Sequence, residues 1–153
     1  MKARLLADEN TSHRMVSACR QIEPSFPIVH IADWAEGAHR SAKDPALLMA
    51  LREAGMVLVG FDRASLPWHA GRLTREGLGH AGVILFRRTV SVVAYGRQAR
   101  LLVELWREGE DWDWADRIEY LPRRAQGAGF RGQYLHRIRV RLGQQRSGSH
   151  QVH

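Results

Sequence analysis

Five short apolar runs alternate with longer stretches of helical periodicity, and this alternation constrains the fold more than any other feature of the chain. The runs are short and bounded by polar or turn-forming residues, which is typical of buried strands. They cover residues 3–7, 28–31, 56–61, 82–86 and 117–121. The order βαβαβαβαβ predicts an α/β protein, a three-layer α/β/α sandwich with a mostly parallel sheet and right-handed crossovers.

The helical stretches carry start and stop signals. One of residues 10–12 can cap the first helix, which extends to about Glu23. Asp44 and Pro45 open the second helix as an N-cap carboxylate and a proline at the first helical position, and Gly55 ends it. The other two helical stretches are residues 66–76 and 99–107.

Length, cysteine content and hydropathy favour a cytoplasmic protein. A chain of 153 residues can bury enough surface to fold without a disulfide or a structural metal. Its single cysteine, Cys19, cannot form a disulfide within one chain, which favours a reducing compartment. The N-terminal apolar run is too short for a signal peptide, and no stretch approaches a membrane span, so we expect no membrane partner.

The net charge of +7 comes from the C-terminal segment. Residues 1–121 hold equal numbers of basic and acidic residues, whereas residues 122–153 hold seven arginines and no acid. We therefore predict a domain over 1–121 and a basic, partly disordered extension over 122–153. Such an extension can bind a polyanion such as RNA, although solvated basic tails without a partner are common. The candidate RNA contacts are Arg137, Arg139 and Arg141.

Carboxylates stand where three elements meet one edge of the predicted sheet. Asp8 and Glu9 follow the first strand, Asp62 follows the third, and Asp44 begins the second helix. Parallel strands deliver their carboxyl ends to one edge, where ligands collect, so we expect these acids to converge on a divalent metal or a shared proton. Each acid also has a structural interpretation as a helix cap or turn residue.

These motifs and their spacing resemble the compact PIN-like family of predicted toxin ribonucleases. The chain has L-A-D-E-N, then an Asp leading a helix to Gly, V-L-V-G-F-D, and G-V-I-L-F. The family pattern is close to L-L-D-E-N, S-D-E-E-I-L with a helix to Gly, V-L-V-T-x-D-x-D-F, and P-G-V-I-L-L. The steps from Asp44 to Gly55 and from Gly55 to Asp62 fit that pattern without a gap. The resemblance covers roughly residues 3–121.

The resemblance implies a PIN-type fold whose carboxylates bind Mg²⁺ or Mn²⁺ and cleave RNA, with an antitoxin protein as a partner. The metal ligands carried over are Asp8, Asp44 and Asp62, with Glu9 as a further ligand or as a partner of a basic residue. The chain departs from the pattern after Asp62, because Ala64 stands where the family has a second acid. The candidates for holding phosphate beside the acids are Arg14, Lys43 and Arg63.

Two functions follow as hypotheses. The first is a metal-dependent endoribonuclease, the toxin component of a toxin–antitoxin pair, that hydrolyses RNA phosphodiesters at the catalytic residues Asp8, Asp44 and Asp62. The second is a non-catalytic RNA-binding or regulatory module on the same fold. A homodimer is compatible with either function. The tryptophans at 106, 112 and 114 could stack bases, but the sequence favours packing between the last helix and the last strand.

Overall fold

The computed structural model describes residues 2–124 and contains the predicted elements in the predicted order. The strands and helices are β1 Arg4–Ala7, α1 His13–Ile22, β2 Ile28–His30, α2 Asp44–Ala54, β3 Met56–Gly60, α3 Ser65–Arg75, β4 Val83–Phe86, α4 Tyr95–Gly109 and β5 Ile118–Leu121. One compact unit spans Met1–Pro122. The predicted contacts of Arg137, Arg139 and Arg141 lie outside the described residues. None of the helices within 2–124 has both the length and the apolar character that crossing a membrane requires.

The five strands form one parallel sheet in the order β2-β1-β3-β4-β5. Leu6 in β1 pairs with Val29 in β2 on one side and with Leu58 in β3 on the other. The predicted α/β/α sandwich is confirmed. From β1 the chain moves outward to β2 and then crosses back past β1 to β3. The strand order therefore reverses between β1 and β3, which is the topological switch point.

The helices cover both faces of the sheet. Alternate strand residues point to opposite faces, so Leu5 and Val57 pack against α1 and α4, whereas Leu6 and Leu58 pack against α2 and α3. Both faces are buried, which explains why the strands appear in the sequence as continuous apolar runs.

The last crossover has the opposite hand to the other three. Helix α1 lies on the first face and carries the chain from β1 to β2, towards one edge of the sheet. Helices α2 and α3 lie on the second face and carry the chain towards the other edge. Because both the direction and the face are reversed, these three crossovers have the same hand. Helix α4 moves in the direction of α2 and α3 but lies on the face of α1. The prediction of a uniformly right-handed sandwich is therefore wrong at β4–α4–β5. Without α4, α1 alone would leave the first face of β3 and β4 uncovered.

The helix ends confirm two predicted signals and correct one. Ser12 caps α1, since its hydroxyl accepts a hydrogen bond from the Arg14 N–H at 3.0 Å. Gly55 ends α2 in the left-handed conformation, with a φ of 67°. The N-cap of α2 is Lys43 rather than Asp44, which lies inside the first turn. Asp44 makes no capping bond because its carboxylate contacts a residue of α3 instead.

The three C-terminal tryptophans have packing roles. The indole N–H of Trp106 donates to the Ala3 carbonyl at 3.3 Å, which fastens α4 to the start of the sheet. Trp114 is buried and donates to the Gly109 carbonyl at 2.7 Å, and its ring lies 5.9 Å from that of Trp112. These contacts agree with the interpretation that the sequence favours.

Candidate active site

The structure brings Asp8, Asp44 and Asp62 to the carboxyl edge of the sheet, at the switch point between β1 and β3. Asp8 follows β1 directly, and its N–H donates to the Val59 carbonyl at 2.9 Å, which continues the pairing with β3 by one residue. Asp62 lies between β3 and α3, and Asp44 begins α2, which packs against α3. Two strand ends and one helix start therefore supply the three carboxylates.

Asp8 is partly buried, and more so than Asp62. Its Oδ1 accepts a hydrogen bond from the Glu9 N–H at 2.8 Å, whereas its Oδ2 accepts none from the described residues. Burial raises the pKa of Asp8, the hydrogen bond from Glu9 opposes the rise, and the negative charges of Asp44, Glu9 and Asp62 add to it. The site thus holds like charges together around a carboxylate oxygen that has no protein donor within residues 2–124.

Asp62 has the opposite electrostatic environment. Its Oδ1 accepts hydrogen bonds from the N–H groups of Ala64 at 3.0 Å and Ser65 at 2.9 Å, so it caps the first turn of α3. The Ser65 hydroxyl is the main cause of a lowered pKa of Asp62, and the backbone bonds and nearby His69 act in the same direction. Asp62 is therefore both a structural cap, as one interpretation of the sequence held, and a member of the carboxylate group.

Ser65 joins two of the acids. Its Oγ lies 2.9 Å from Asp44 Oδ2 and also within hydrogen-bond distance of Asp62 Oδ2. One hydroxyl has one proton, so it donates to only one of these oxygens at a time, and the two carboxylates share a single donor. Ser65 was not among the residues predicted for the site. Its position three residues after a capping acid, at the start of a helix, was the available signal.

Glu9 fastens the loop between β2 and α2 to the site. Its carboxylate accepts a hydrogen bond from the Ser41 N–H, and the Ser41 hydroxyl lies 3.5 Å from the same oxygen. The expected alternatives for Glu9 were a metal ligand or a partner of a basic residue. In the structure, Glu9 instead binds the backbone N–H of Ser41. Its negative charge adds to the raised pKa of Asp8, and Glu9 contributes to the site in this way.

The basic residues predicted beside the acids lie at the same edge of the sheet. Arg63 donates to the Phe86 carbonyl at 2.7 Å and so links the loop after β3 to the end of β4. The Arg14 guanidinium lies 5.9 Å from the centre of the Tyr95 ring. Lys43 is exposed at the start of α2. Contact between these side chains and phosphate stays a prediction.

The donors suit a hard divalent cation, but they are not arranged as a finished metal site. Within residues 2–124, no three His, Cys, Asp or Glu side chains form a group that could hold a metal ion as they stand. Carboxylate oxygens are the ligands that Mg²⁺ and Mn²⁺ prefer, and Asp8 Oδ2 is not engaged by a protein donor. Ser65 engages Asp44 and Asp62, so its hydroxyl would have to turn before both could coordinate.

In comparisons with known proteins, no family model, no curated protein and no solved structure matches this chain. The resemblance to the PIN-like family therefore rests on the sequence motifs alone. The structure adds the position of the carboxylates. In open parallel sheets with this strand order, ligands bind at the switch point, between β1 and β3.

Proposed function

We propose that this protein is a metal-dependent endoribonuclease that hydrolyses RNA phosphodiesters at Asp8, Asp44 and Asp62. The observation that carries the proposal is the unbalanced negative charge at the switch point, where burial and three acidic neighbours raise the pKa of Asp8. Like charges held together in a partly buried place lower stability, and a bound divalent cation offsets that effect.

The carboxylate oxygens at the site are the kind of donor that Mg²⁺ or Mn²⁺ prefers. Asp8, Asp44 and Asp62 would hold the ion, with Glu9 close enough to add negative charge. When bound, the ion supplies positive charge for the developing phosphate oxyanion and makes a water molecule more acidic. Asp8 Oδ2, which no described donor engages, is the Asp8 oxygen available to hold the ion, and Lys43 and Arg63 can hold the substrate phosphate.

The resemblance also supports a physiological role for this activity. In that interpretation the protein is the toxin component of a toxin–antitoxin pair in the cytoplasm, with RNA as substrate and an antitoxin protein as partner. A homodimer is a further assembly to test. The chain's seven C-terminal arginines favour a polyanionic substrate.

A second candidate is a non-catalytic RNA-binding module on the same fold. Two observations favour it. Ala64 stands where the resemblance would place another acid, and the Ser65 hydroxyl lies between one oxygen of Asp44 and one of Asp62 and donates to one of them at a time. Fewer free carboxylate oxygens mean weaker binding of a catalytic ion.

The test compares two Asp→Asn changes at opposite ends of the sheet. Asp62→Asn keeps the shape and the cap of α3 but removes one charge and one ligand oxygen, so Mn²⁺-dependent cleavage of a mixed single-stranded RNA pool should fall by at least about 100-fold. Asp116→Asn is the matched control. Asp116 accepts hydrogen bonds from Thr74 and His80 at the amino edge, so this change should leave cleavage unaltered.

The same assay separates the two candidates. Ala64→Asp restores the acid of the family pattern and should raise cleavage if a fourth carboxylate limits the site. Cleavage that persists in chelator and in Asp62→Asn contradicts metal-dependent catalysis at these residues. Absence of metal binding and of cleavage in every variant, Ala64→Asp included, supports the RNA-binding module.

A further inference from the structure

Helix α3 exposes a tryptophan beside the carboxylate site. Trp68 is 55% exposed, and it is the only tryptophan in the described part of the chain that is more than half exposed. The tryptophans at 34, 106, 112 and 114 are buried or partly buried. Exposing so large an apolar side chain does not stabilise the fold, so the exposure of Trp68 indicates a role in binding a ligand that covers its ring.

Helical spacing connects Trp68 to the acids. Ser65, Trp68, His69 and Arg72 stand at positions i, i+3, i+4 and i+7, so they share one face of α3. Ser65 contacts two of the carboxylates, and Trp68 lies one turn further, about 4.5 Å along the helix axis. That distance is of the same order as the roughly 3.4 Å of helix axis between successive phosphates on one strand of a stacked duplex, so it suits one nucleotide.

The surroundings of Trp68 are cationic. The Arg72 guanidinium lies 5.8 Å from the centre of the Trp68 ring, and its Nε bonds the Glu76 carboxylate at 2.8 Å, which orients it. Arg75, one turn beyond Arg72, is exposed. An aromatic ring with an arginine over its face is complementary to a base with its phosphate. A protein partner would call for a contiguous apolar patch, whereas Leu78, the nearest exposed large apolar residue along the chain, lies beyond these charges.

We infer that Trp68 and Arg72 form a subsite that stacks one unpaired nucleobase of single-stranded RNA and contacts its phosphate, one helical turn from the carboxylates. The inference rests on the proposed function and narrows its substrate: the nucleotide beside the scissile phosphate has to be unpaired, because a base inside a duplex presents no open face to Trp68. Double-stranded RNA would then be bound through its phosphates alone.

The test measures the binding of a fluorescent single-stranded RNA decamer to the full-length protein in chelator, which prevents metal-dependent cleavage. Trp68→Leu keeps an apolar side chain but removes the stacking ring, and should weaken binding by about 5- to 150-fold. Trp68→Phe keeps an aromatic face and should retain most of the affinity. Leu78→Ala, the matched control, removes an exposed apolar side chain beyond the far end of α3 and should have no effect. Affinity for a duplex of the same sequence should not change in any variant.

Several outcomes would overturn the subsite. These are equal binding by Trp68→Leu and the unchanged protein, no binding of single-stranded RNA by either, or equal losses for single strand and duplex. A change in oligomeric state on Trp68→Leu, with RNA affinity preserved, would assign this face to a second copy of the chain instead. If binding of single-stranded RNA depends on Trp68 but the protein shows no metal-dependent cleavage, the Trp68 subsite is supported and only the proposed nuclease activity is overturned.

Discussion

Two groups of charged side chains lie at opposite ends of the same sheet, and they are built in opposite ways. At the amino end, Arg117 pairs with Glu119 at 3.0 Å, and both side chains are nearly buried, at 12% and 11% exposed. At the carboxyl end, Asp8 has only negative neighbours among the charges that shift its pKa. Each charge at the amino end is compensated by its partner, whereas the neighbouring like charges at the carboxyl end raise the pKa of Asp8, as is common at functional sites.

Packing around two glycines shows the same contrast. A Cβ on Gly82, at the amino end, would lie 2.9 Å from the Trp114 carbonyl oxygen, so this position has no space for a methyl group. A Cβ on Gly60 would lie 3.5 Å from Asp8 Oδ2, an ordinary contact distance. A methyl group is therefore tolerated beside Asp8 at Gly60 but not beside Trp114 at Gly82.

Breaking the charge pair at the amino end should have the largest effect on stability. Arg117→Met leaves the Glu119 carboxylate nearly buried without its cation, and should lower the free energy of unfolding by about 3 kcal/mol. Urea denaturation measures this change. The double variant Arg117→Met with Glu119→Leu removes both charges and should recover most of the loss. A single variant as stable as the parent protein would show that the pair does not support the fold.

A smaller effect is expected from Ser65→Ala at the carboxyl end. Removing the shared hydroxyl should lower the free energy of unfolding by about 1 kcal/mol at pH 7, because the Oδ2 atoms of Asp44 and Asp62 lose the one donor between them. Ser65 holds the pKa of Asp62 in the folded protein below its usual range. The stabilisation from Ser65 is therefore present above the pKa that Asp62 has in the unfolded chain, and it is lost as pH falls through the pKa of Asp62 in the folded protein.

Denaturation with and without Mn²⁺ sharpens this prediction. The ion should restore more stability to Ser65→Ala than to the parent protein, since it replaces the hydroxyl as the group between the carboxylates. Ser65→Thr, which keeps a hydroxyl, is the control. An equal response to Mn²⁺ in all three proteins would argue against a metal at these residues.

The smallest effect is expected from Asp8→Asn, and it has the opposite sign. Neutralising Asp8 relieves its repulsion with the other acids and should raise the free energy of unfolding by about 0.5 kcal/mol at neutral pH, the size of a partly exposed charge interaction. The raised pKa of Asp8 means that its charge lowers stability above the folded pKa. The gain in stability from Asp8→Asn should therefore disappear as pH falls towards the pKa that Asp8 has in the unfolded chain. A gain in stability that does not depend on pH would have another cause.

Much of this arrangement was accessible from the sequence. The apolar runs located every strand to within about two residues, because strands buried on both faces need a continuous apolar sequence. Asp8 and Asp62 could be placed at one edge because parallel strands end on the same side. Gly55 could be identified as a helix end because α2 closes there in a conformation that glycine adopts without strain.

The remainder depends on contacts between elements distant in sequence. Whether Asp44 caps its own helix or contacts α3 is decided by Ser65, 21 residues later, and no local signal specifies that contact. The hand of the last crossover depends on which face α1 leaves uncovered. Trp68 lies on a helix with an apolar face, and only its exposure in the folded protein separates it from the tryptophans that pack.

The contact between α1 and α4 also has a consequence for the order in which the chain is made. Glu23 at the end of α1 bonds to Arg107, which is 84 residues later, and Ala3 bonds to Glu110. At a synthesis rate of about 5–20 residues per second, α1 waits roughly 4–17 seconds for its partner helix. During that interval the apolar side chains of Met15 and Cys19 have no α4 to cover them. A nascent chain that stops before α4 is therefore an aggregation-prone fragment rather than a smaller folded domain.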